Sequence, residues 1–561
     1  MPRQHASFTD DTAGFARRAR KNFARTPVCY YSAHNINHVG LGADSRAKRR
    51  DDDRSARDEG GSTMRCVLGL LVFAVVAWCS PVQAAKPDLL LIMPDQMRGD
   101  CLSCLGHPVV ETPTFDRLAR QGVLFRRAYA TVPSCIPARY ALLTGLYPQT
   151  SGVVGFRQKP VTRPTMPQLL TAQGYLSILV GRTMHQRESD EALGYTIHRA
   201  CSTYVRGDEY AKAIEAAFDD IREFHGWVTD TLGLSYNLWP ARPWPIDEAW
   251  HPTVWIVRTA EEVLADVPDE QPVFLTASFY APHPPLFPPP RYFDKYLQAD
   301  LPEPAHGDWV DWDALTPQGA EGGHRVLLTG ETLRRAQAGY FGLIEQLDRE
   351  VASLVQAFVA RSEKAGRPWL IVVTSDHGEM LGDHGYFRKC EPLEGSANVP
   401  MILAGSPELR LQAGMRIDRP VCLEDLLPTF LDAAGAAPPD DIDGVSLLPA
   451  ARGKDTHIRP WLHFEHAPCY SKAQAFHALT DGRMKYIWRP TDGSELLFDL
   501  VNDPKEEHNL ADDPEHADTL QHWRSILIER LTPRPEGFTD GERLIPGRPY
   551  PALNDGVPAP K

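Results

Sequence analysis

Four apolar runs, each ending abruptly in polar residues, constrain this chain more than any other feature. Asp88-Leu-Leu-Leu-Ile-Met93 is flanked by prolines, and Leu176–Val180 follows Gly174. Val273–Tyr280 leads into Ala281-Pro-His283-Pro-Pro, and Trp369–Thr374 runs into Ser375-Asp376-His377-Gly378-Glu379. A strand with one wet face alternates polar and apolar residues, whereas a strand covered on both faces is apolar throughout. The four runs therefore predict inner strands of a parallel sheet. Helical stretches separate them. Thr112-Pro113 reads as a cap and first residue, Phe115, Leu118 and Ala119 as the apolar stripe, and Gly122 as the stop. A longer helix is predicted over about 332–361, where Leu343, Leu347, Val351 and Leu354 recur at helical spacing. Strand–helix alternation predicts an α/β fold. Ligands of open α/β sheets bind beyond the carboxyl ends of the strands. Asp95 and Gln96 close the first run and Gly181, Arg182 and His185 the second, so all four polar clusters are expected to meet at one site.

After about residue 450 the texture changes. His477–Trp488, with an Asp481-Gly482 turn, and Glu495–Asp499 read as short hairpin strands, followed by a helix over 513–531. A catalytic domain over 85–450 and a smaller C-terminal α+β subdomain over 451–561 are expected, with the Pro-rich tail from Arg534 extended on the surface. The N-terminus carries a different signal. From Met64, one Arg, an apolar stretch over Cys66–Trp78 and the small-residue pattern Val82-Gln83-Ala84 resemble a secretory signal peptide over 64–84. Residues 1–63 are then expected to be a non-native or disordered extension, and the mature chain to be secreted or periplasmic. The apolar stretch is too short for a membrane span, so no stable membrane association is expected. With 43% hydrophobic and 24% charged residues, wholesale disorder is excluded. A net charge of −14 argues against nucleic acid as a partner. Seven of the ten cysteines lie beyond residue 84, an odd number that calls for one thiol with its own role. Cys101-x-x-Cys104 has no second metal-ligand pair, so packing or a local disulfide is the expected reading.

The segment Pro133-Ser-Cys135-Ile-Pro137-Ala-Arg139-Tyr-Ala-Leu-Leu-Thr-Gly145 is the most informative. Pro137 suits the first turn of a helix, which puts Cys135 at its N-terminus, where free N–H groups and the dipole stabilise anions. Arg139, four residues on, falls on the same face. This segment resembles the signature Cys-x-Pro-x-Arg, followed by Leu-Thr-Gly, of the formylglycine-dependent sulfatases, members of the alkaline-phosphatase-like superfamily. The resemblance implies a large, mostly parallel mixed sheet flanked by helices. It also implies that a formylglycine-generating enzyme oxidises Cys135 to an aldehyde. In that family one hydroxyl of the hydrated aldehyde attacks sulfur, and the second, once deprotonated, expels sulfate; a plain serine ester would need another hydrolysis.

The same resemblance nominates Asp95, Gln96, Asp376 and His377, with the modified Cys135, as ligands of one divalent cation. Mainly oxygen donors suit Ca2+ better than zinc. It also implies that Arg139, Arg182, His185, His283 and Lys389 bind the anion or act on the leaving group, with Arg388 competing for the place of Lys389. Three departures stand out. Gln96 replaces the commoner Asp and resembles the phosphonate monoester and phosphodiester hydrolases. Gly181-Arg182-Thr-Met-His185 has Arg for Lys and one extra residue, a spacing similar to the iduronate sulfatase branch. His283 lies between prolines. The expected activity is hydrolysis of a sulfate ester, of a small molecule or a sulfated carbohydrate. A phosphonate or phosphodiester hydrolase with the same nucleophile, and a catalytically silent glycan-binding homologue, are the rivals. Seven of twelve tryptophans fall over 227–312, which fits either sugar stacking or an inserted core.

Overall fold

A computed structural model describes residues 85–316, 325–454 and 458–556. The expected signal peptide and the extension before it lie outside the described residues. The eight strands of the main sheet are β1 (Asp88–Asp95), β2 (Val123–Phe125), β3 (Leu176–Gly181), β4 (Ile197–Ala200), β5 (Val273–Pro282), β6 (Trp369–Thr374), β7 (Met401–Gly405) and β8 (Met415–Ile417). Their order is β4-β3-β5-β1-β6-β7-β2-β8. Every neighbouring pair is parallel except those made by β7, which runs against both β6 and β2. The expected mostly parallel mixed sheet is therefore present, and the four apolar runs are β3, β5, β1 and β6, adjacent at its centre.

Their continuous hydrophobicity has a direct cause. Leu90 and Ile92 of β1 enter one core, while Leu89, Leu91 and Met93 enter the other, on the opposite face. The first core packs under α1 (Pro113–Gln121), α3 (Pro252–Asp266), α4 (Pro290–Gln298) and α5 (Gly330–Lys364). The second packs under α2 (Cys135–Thr144) and α6 (Leu426–Ala433). Each such fully buried Leu or Ile contributes roughly 1.5–3 kcal/mol relative to exposure. Trp227, Trp244 and Trp255 belong to the first core, so these three tryptophans are structural.

The C-terminal sheet is an antiparallel meander of β9 (Leu462–His466), β10 (Phe476–Thr480), β11 (Met484–Trp488) and β12 (Glu495–Asp499), followed by α7 (Ala517–Leu531). The tail beyond α7 departs from the expected surface course. Arg534, Phe538 and Tyr550 are buried, because the two rings complete a core with Trp488 and the guanidinium neutralises Glu465. The tail then returns to the catalytic domain, where Val154 N donates to Ala552 O at 3.2 Å and Asn554 N to Gly152 O at 2.9 Å. Among the described residues no helix is long and apolar enough to cross a membrane.

Candidate functional site

The carboxyl ends of β1, β3, β5 and β6 deliver their polar clusters to one buried point, and α2 brings Cys135 to it. The sheet makes room by backbone choice. Gly181, at the end of β3, has φ 106°, and a Cβ there would sit 1.9 Å from the Ser278 carbonyl oxygen. Gln96 and His185, the first turns beyond β1 and β3, take φ of 67° and 57°, left-handed conformations that non-glycine residues hold only when the surroundings enforce them.

Around Cys135, which is 1% exposed, the contacts are specific. Lys389 Nζ donates to the Cys135 sulfur at 2.9 Å, to Gln96 Oε1 at 3.1 Å and lies 3.1 Å from His283 Nε2. Its three protons thus have three acceptors. His377 Nε2 is 3.2 Å from the same sulfur, and Asp95 Oδ1 is 4.0 Å away. Burial raises the Cys135 thiol, but Lys389, His377 and Arg182 outweigh it and hold the thiol well below the ordinary range. Position 135 is built to carry negative charge. Arg388, the competing assignment, instead lies over the Tyr470 ring at 4.7 Å.

Two arginines organise the carboxylates. Arg139 Nη2 pairs with Asp95 Oδ2 at 2.9 Å and its Nε with Asp376 Oδ2 at 2.8 Å. Arg182 Nη1 also meets Asp95 Oδ2, at 2.8 Å, while its guanidinium lies over Tyr280 and Tyr204. Arg139 therefore does not reach back to Cys135 as its helical register implied. It fixes the outer oxygens of the acids and leaves both inner Oδ1 atoms turned toward His377 Nε2, 3.8 Å from each. Asp95, Cys135, Asp376 and His377 each offer a ligand atom within 4.8 Å of the others. Burial opposes ionisation of both acids. Arg182 and Arg139 bring Asp95 below its usual range, while Asp376, facing Asp95, stays raised. Inner oxygens of like charge aimed at one point, beside an unprotonated-capable imidazole nitrogen, fit a divalent cation. Gln96 borders this group: its Nε2 donates to Glu379, which turns Oε1 toward Lys389.

The two remaining candidates differ. His283 Nδ1 donates to Pro284 O at 2.7 Å, which leaves Nε2 as an acceptor. Burial, then Lys389, brings its pKa down to about 3, so the imidazole is neutral. His185 sits farther out, half-buried, with Nδ1 3.3 Å from Arg182 Nη2.

Sequence reading missed two partners. Ser134, the residue before Cys135, caps nothing on α2; its hydroxyl donates to His466 Nε2 at 2.8 Å, and His466 Nδ1 donates to Ala467 O. The two residues are 332 positions apart, so no local signal exposes them. Glu379 lay inside the motif already singled out, and only its hydrogen bond to Gln96 gives it a role. Cys101 and Cys104 are free thiols, in agreement with packing. A cavity of about 1230 Å³ lies elsewhere, between Arg98, Arg127, Arg416, Asp418, Arg483 and Glu506. None of the ten candidate residues borders it.

The chain is similar to known proteins over most of its length. A family model described as Sulfatase matches residues 87–436, and one described as N-sulphoglucosamine sulphohydrolase, C-terminal, matches residues 382–532. An arylsulfatase of Clostridium perfringens (strain 13 / Type A) is 34% identical over 482 residues, covering 83% of this chain and 99% of the relative. A Delta 4,5-hexuronate-2-O-sulfatase of Bacteroides thetaiotaomicron is 28% identical over 478 residues, covering 80% of this chain and 89% of the relative. The crystal structure of the phosphonate monoester hydrolase of Agrobacterium radiobacter matches with a TM-score of 0.65 at 25% identity, over 79% of this chain and 95% of that one.

Proposed function

The chain belongs to the sulfatase family and hydrolyses sulfate esters, and from that premise we propose that it does so through formylglycine made from Cys135, beside one calcium ion. The observation that carries this reading is the approach of Lys389 Nζ, His377 Nε2 and Asp95 Oδ1 to a single sulfur atom at the start of α2. That atom marks where the hydroxyls of the hydrated aldehyde would lie. Asp95, Gln96, Asp376 and His377 would hold the cation, which when bound lowers the pKa of the attacking hydroxyl and offsets the charge of the incoming anion.

The chain's own residues then divide the work. Arg182 is an electrostatic clamp for the sulfate: it is always protonated, buried, and held flat against two tyrosines. Arg139 keeps the two acids in register. Lys389, an ammonium with burial opposing and position 135 favouring its charge, is the group placed to give a proton to the leaving oxygen. His283, neutral and accepting from Lys389, orients that ammonium. Maturation would require a formylglycine-generating enzyme, and secretion would rest on the segment before residue 85.

The hexuronate sulfatase relative supports a sulfated carbohydrate, and the arylsulfatase relative a smaller sulfate monoester. One observation favours a second activity: Gln96 in place of an acid lowers the charge of the site, and the phosphonate monoester hydrolase shares the fold. Matched sulfate monoesters, phosphonate monoesters and phosphodiesters, assayed side by side on matured protein, test the reading. A kcat/KM highest on sulfate monoesters is expected; a clear preference for phosphodiesters overturns it.

A further inference from the structure

Lys389 reaches position 135 from a turn whose backbone is held in an uncommon shape. Arg388 and Cys390, on either side of it, take φ of 75° and 71°, left-handed conformations that the surroundings must enforce. Part of that enforcement comes from the catalytic domain, where Cys390 N donates to Pro133 O at 2.9 Å. The rest comes from the connection between β9 and β10. Gln474 Nε2 donates to Lys389 O at 3.1 Å, the Arg388 guanidinium lies over the Tyr470 ring at 4.7 Å, and Tyr470 N donates to Gln474 Oε1 at 2.9 Å. Arg489, just past β11, joins the two sides, with Nη2 on Glu391 Oε2 at 2.8 Å and Nη1 on Gln474 O at 3.1 Å.

Each side of this seam carries a cysteine. Cys390 follows Lys389 and is buried; Cys469 precedes Tyr470 and is half-buried. Both are free thiols in the structure. A hydrogen bond with Cys390 holds the Cys469 thiol below its ordinary range, against burial and with help from Lys389 and Arg388. Burial, and then the same hydrogen bond, pushes Cys390 well up. The other thiols among the described residues, Cys135 apart, are raised by burial: Cys101, Cys104, Cys201 and Cys422. A reachable thiolate beside a buried partner is the arrangement in which the first attacks a disulfide and the second resolves it.

We propose that Cys390 and Cys469 are an oxidation site, whose disulfide fastens the Lys389 turn to the C-terminal subdomain. The oxidant is a small-molecule disulfide of the glutathione class. The Cys469 thiolate attacks one of its sulfurs; that S–S bond breaks, a mixed disulfide forms and one glutathione thiolate leaves. Cys390 then attacks the Cys469 sulfur, which forms the protein disulfide and releases the second glutathione. The two protein thiols lose two electrons to the reagent and two protons to its leaving thiolates. Because the two cysteines are far apart in sequence, the bond closes a long loop and restricts the unfolded chain, so the oxidised form is the more stable one. The site stands whether or not the substrate is a sulfate ester.

The test uses the full-length protein, equilibrated with oxidised glutathione or with a dithiol reductant, trapped by alkylation and mapped by peptide mass without reduction. The oxidised sample is expected to contain the Cys390 and Cys469 peptides joined, lighter by two hydrogen atoms than their sum, and the reduced sample to contain both alkylated. The thermal midpoint is expected to be roughly 5 °C higher in the oxidised form. Cys469→Ser, at a half-buried position, should remove the joined peptide and that shift, whereas Cys104→Ser should keep both. Oxidised protein in which both cysteines still alkylate, in which either pairs with another cysteine, or in which Cys469 stops at the mixed disulfide would overturn the site. A joined peptide without a midpoint shift would overturn the fastening. Position 135 is read in the same map, so a chain that has not matured there is a separate result, and the pair is assigned or rejected on its own peptides.

Discussion

Two buried ionic clusters in this molecule look alike in composition and differ in how they are satisfied. In the C-terminal subdomain, Arg534 forks onto both oxygens of Glu465 at 2.8 and 3.0 Å, Tyr550 donates to the same carboxylate, and Glu536 takes the far side of the guanidinium at 2.6 Å. His463 and His477 beside it are held neutral, both by burial first. Every charge there ends on a partner. At the carboxyl edge of the main sheet, Arg139 and Arg182 take only the outer oxygens of Asp95 and Asp376, and the inner ones face each other across His377. The charges of the first cluster close on one another. In the second, Asp376 Oδ1 accepts from the backbone N–H groups of Gln96 and His377, while Asp95 Oδ1 faces the Cys135 sulfur at 4.0 Å and the imidazole at 3.8 Å, an arrangement that a ligand completes.

The comparison can be broken at either end. Cys135→Ala is expected to abolish turnover, by at least about 10³-fold, while the thermal midpoint stays near that of the wild type; retained sulfate release would show that the nucleophile lies elsewhere. Arg534→Ala is expected to do the reverse. It strands a buried carboxylate, with a cost of about 3–5 kcal/mol in denaturant unfolding and unchanged kcat in the protein that remains folded. A loss of kcat without loss of stability would move that cluster into the functional class.

A third substitution joins the two regions. His466 belongs to the C-terminal sheet yet holds Ser134, next to the nucleophile. His466→Ala is expected to lower kcat about tenfold with KM nearly constant, and His466→Gln, which retains an acceptor, to recover most of it. A parallel fall in stability with no recovery in the Gln variant would make the contact merely structural. The smallest effect is expected at Asp348, a buried carboxylate answered only by the N–H groups of Thr114 and Phe115 on α1. Burial raises its pKa from 3.8 to about 6. A raised value means that the folded state binds the proton more tightly, so the stability it supplies is complete below pH 4 and is lost as pH climbs past 6. The midpoint difference between wild type and Asp348→Asn should therefore shift against the wild type across that window. A difference that is flat with pH would refute this assignment.

Much of the site was legible because its residues follow sheet strands directly. Asp95, Arg182, His283 and Asp376 each stand within two positions of a strand end, and a parallel sheet aligns those ends. Their partners were harder to read in proportion to how far they come from a strand. Arg139 lies on the face predicted for it, but its guanidinium goes to Asp95 and Asp376 at the ends of β1 and β6. His283 was placed at the anion or the leaving group by resemblance, and only its burial beside Lys389 makes its imidazole neutral. The tail from Arg534 read as surface because proline content describes chain stiffness, not what the chain packs against.

The sequence by itself determined the sheet, the meeting of its polar strand ends and the place of Cys135 at the start of a helix, since apolar runs and a helix-starting Cys-x-Pro-x-Arg depend on local geometry. Only the tertiary structure decided which oxygens face inward, that His283 is neutral, and that the C-terminal subdomain reaches Ser134 and Val154. Those outcomes depend on charges and hydrogen bonds between segments hundreds of residues apart, and a linear chain carries no record of such distances until it is packed.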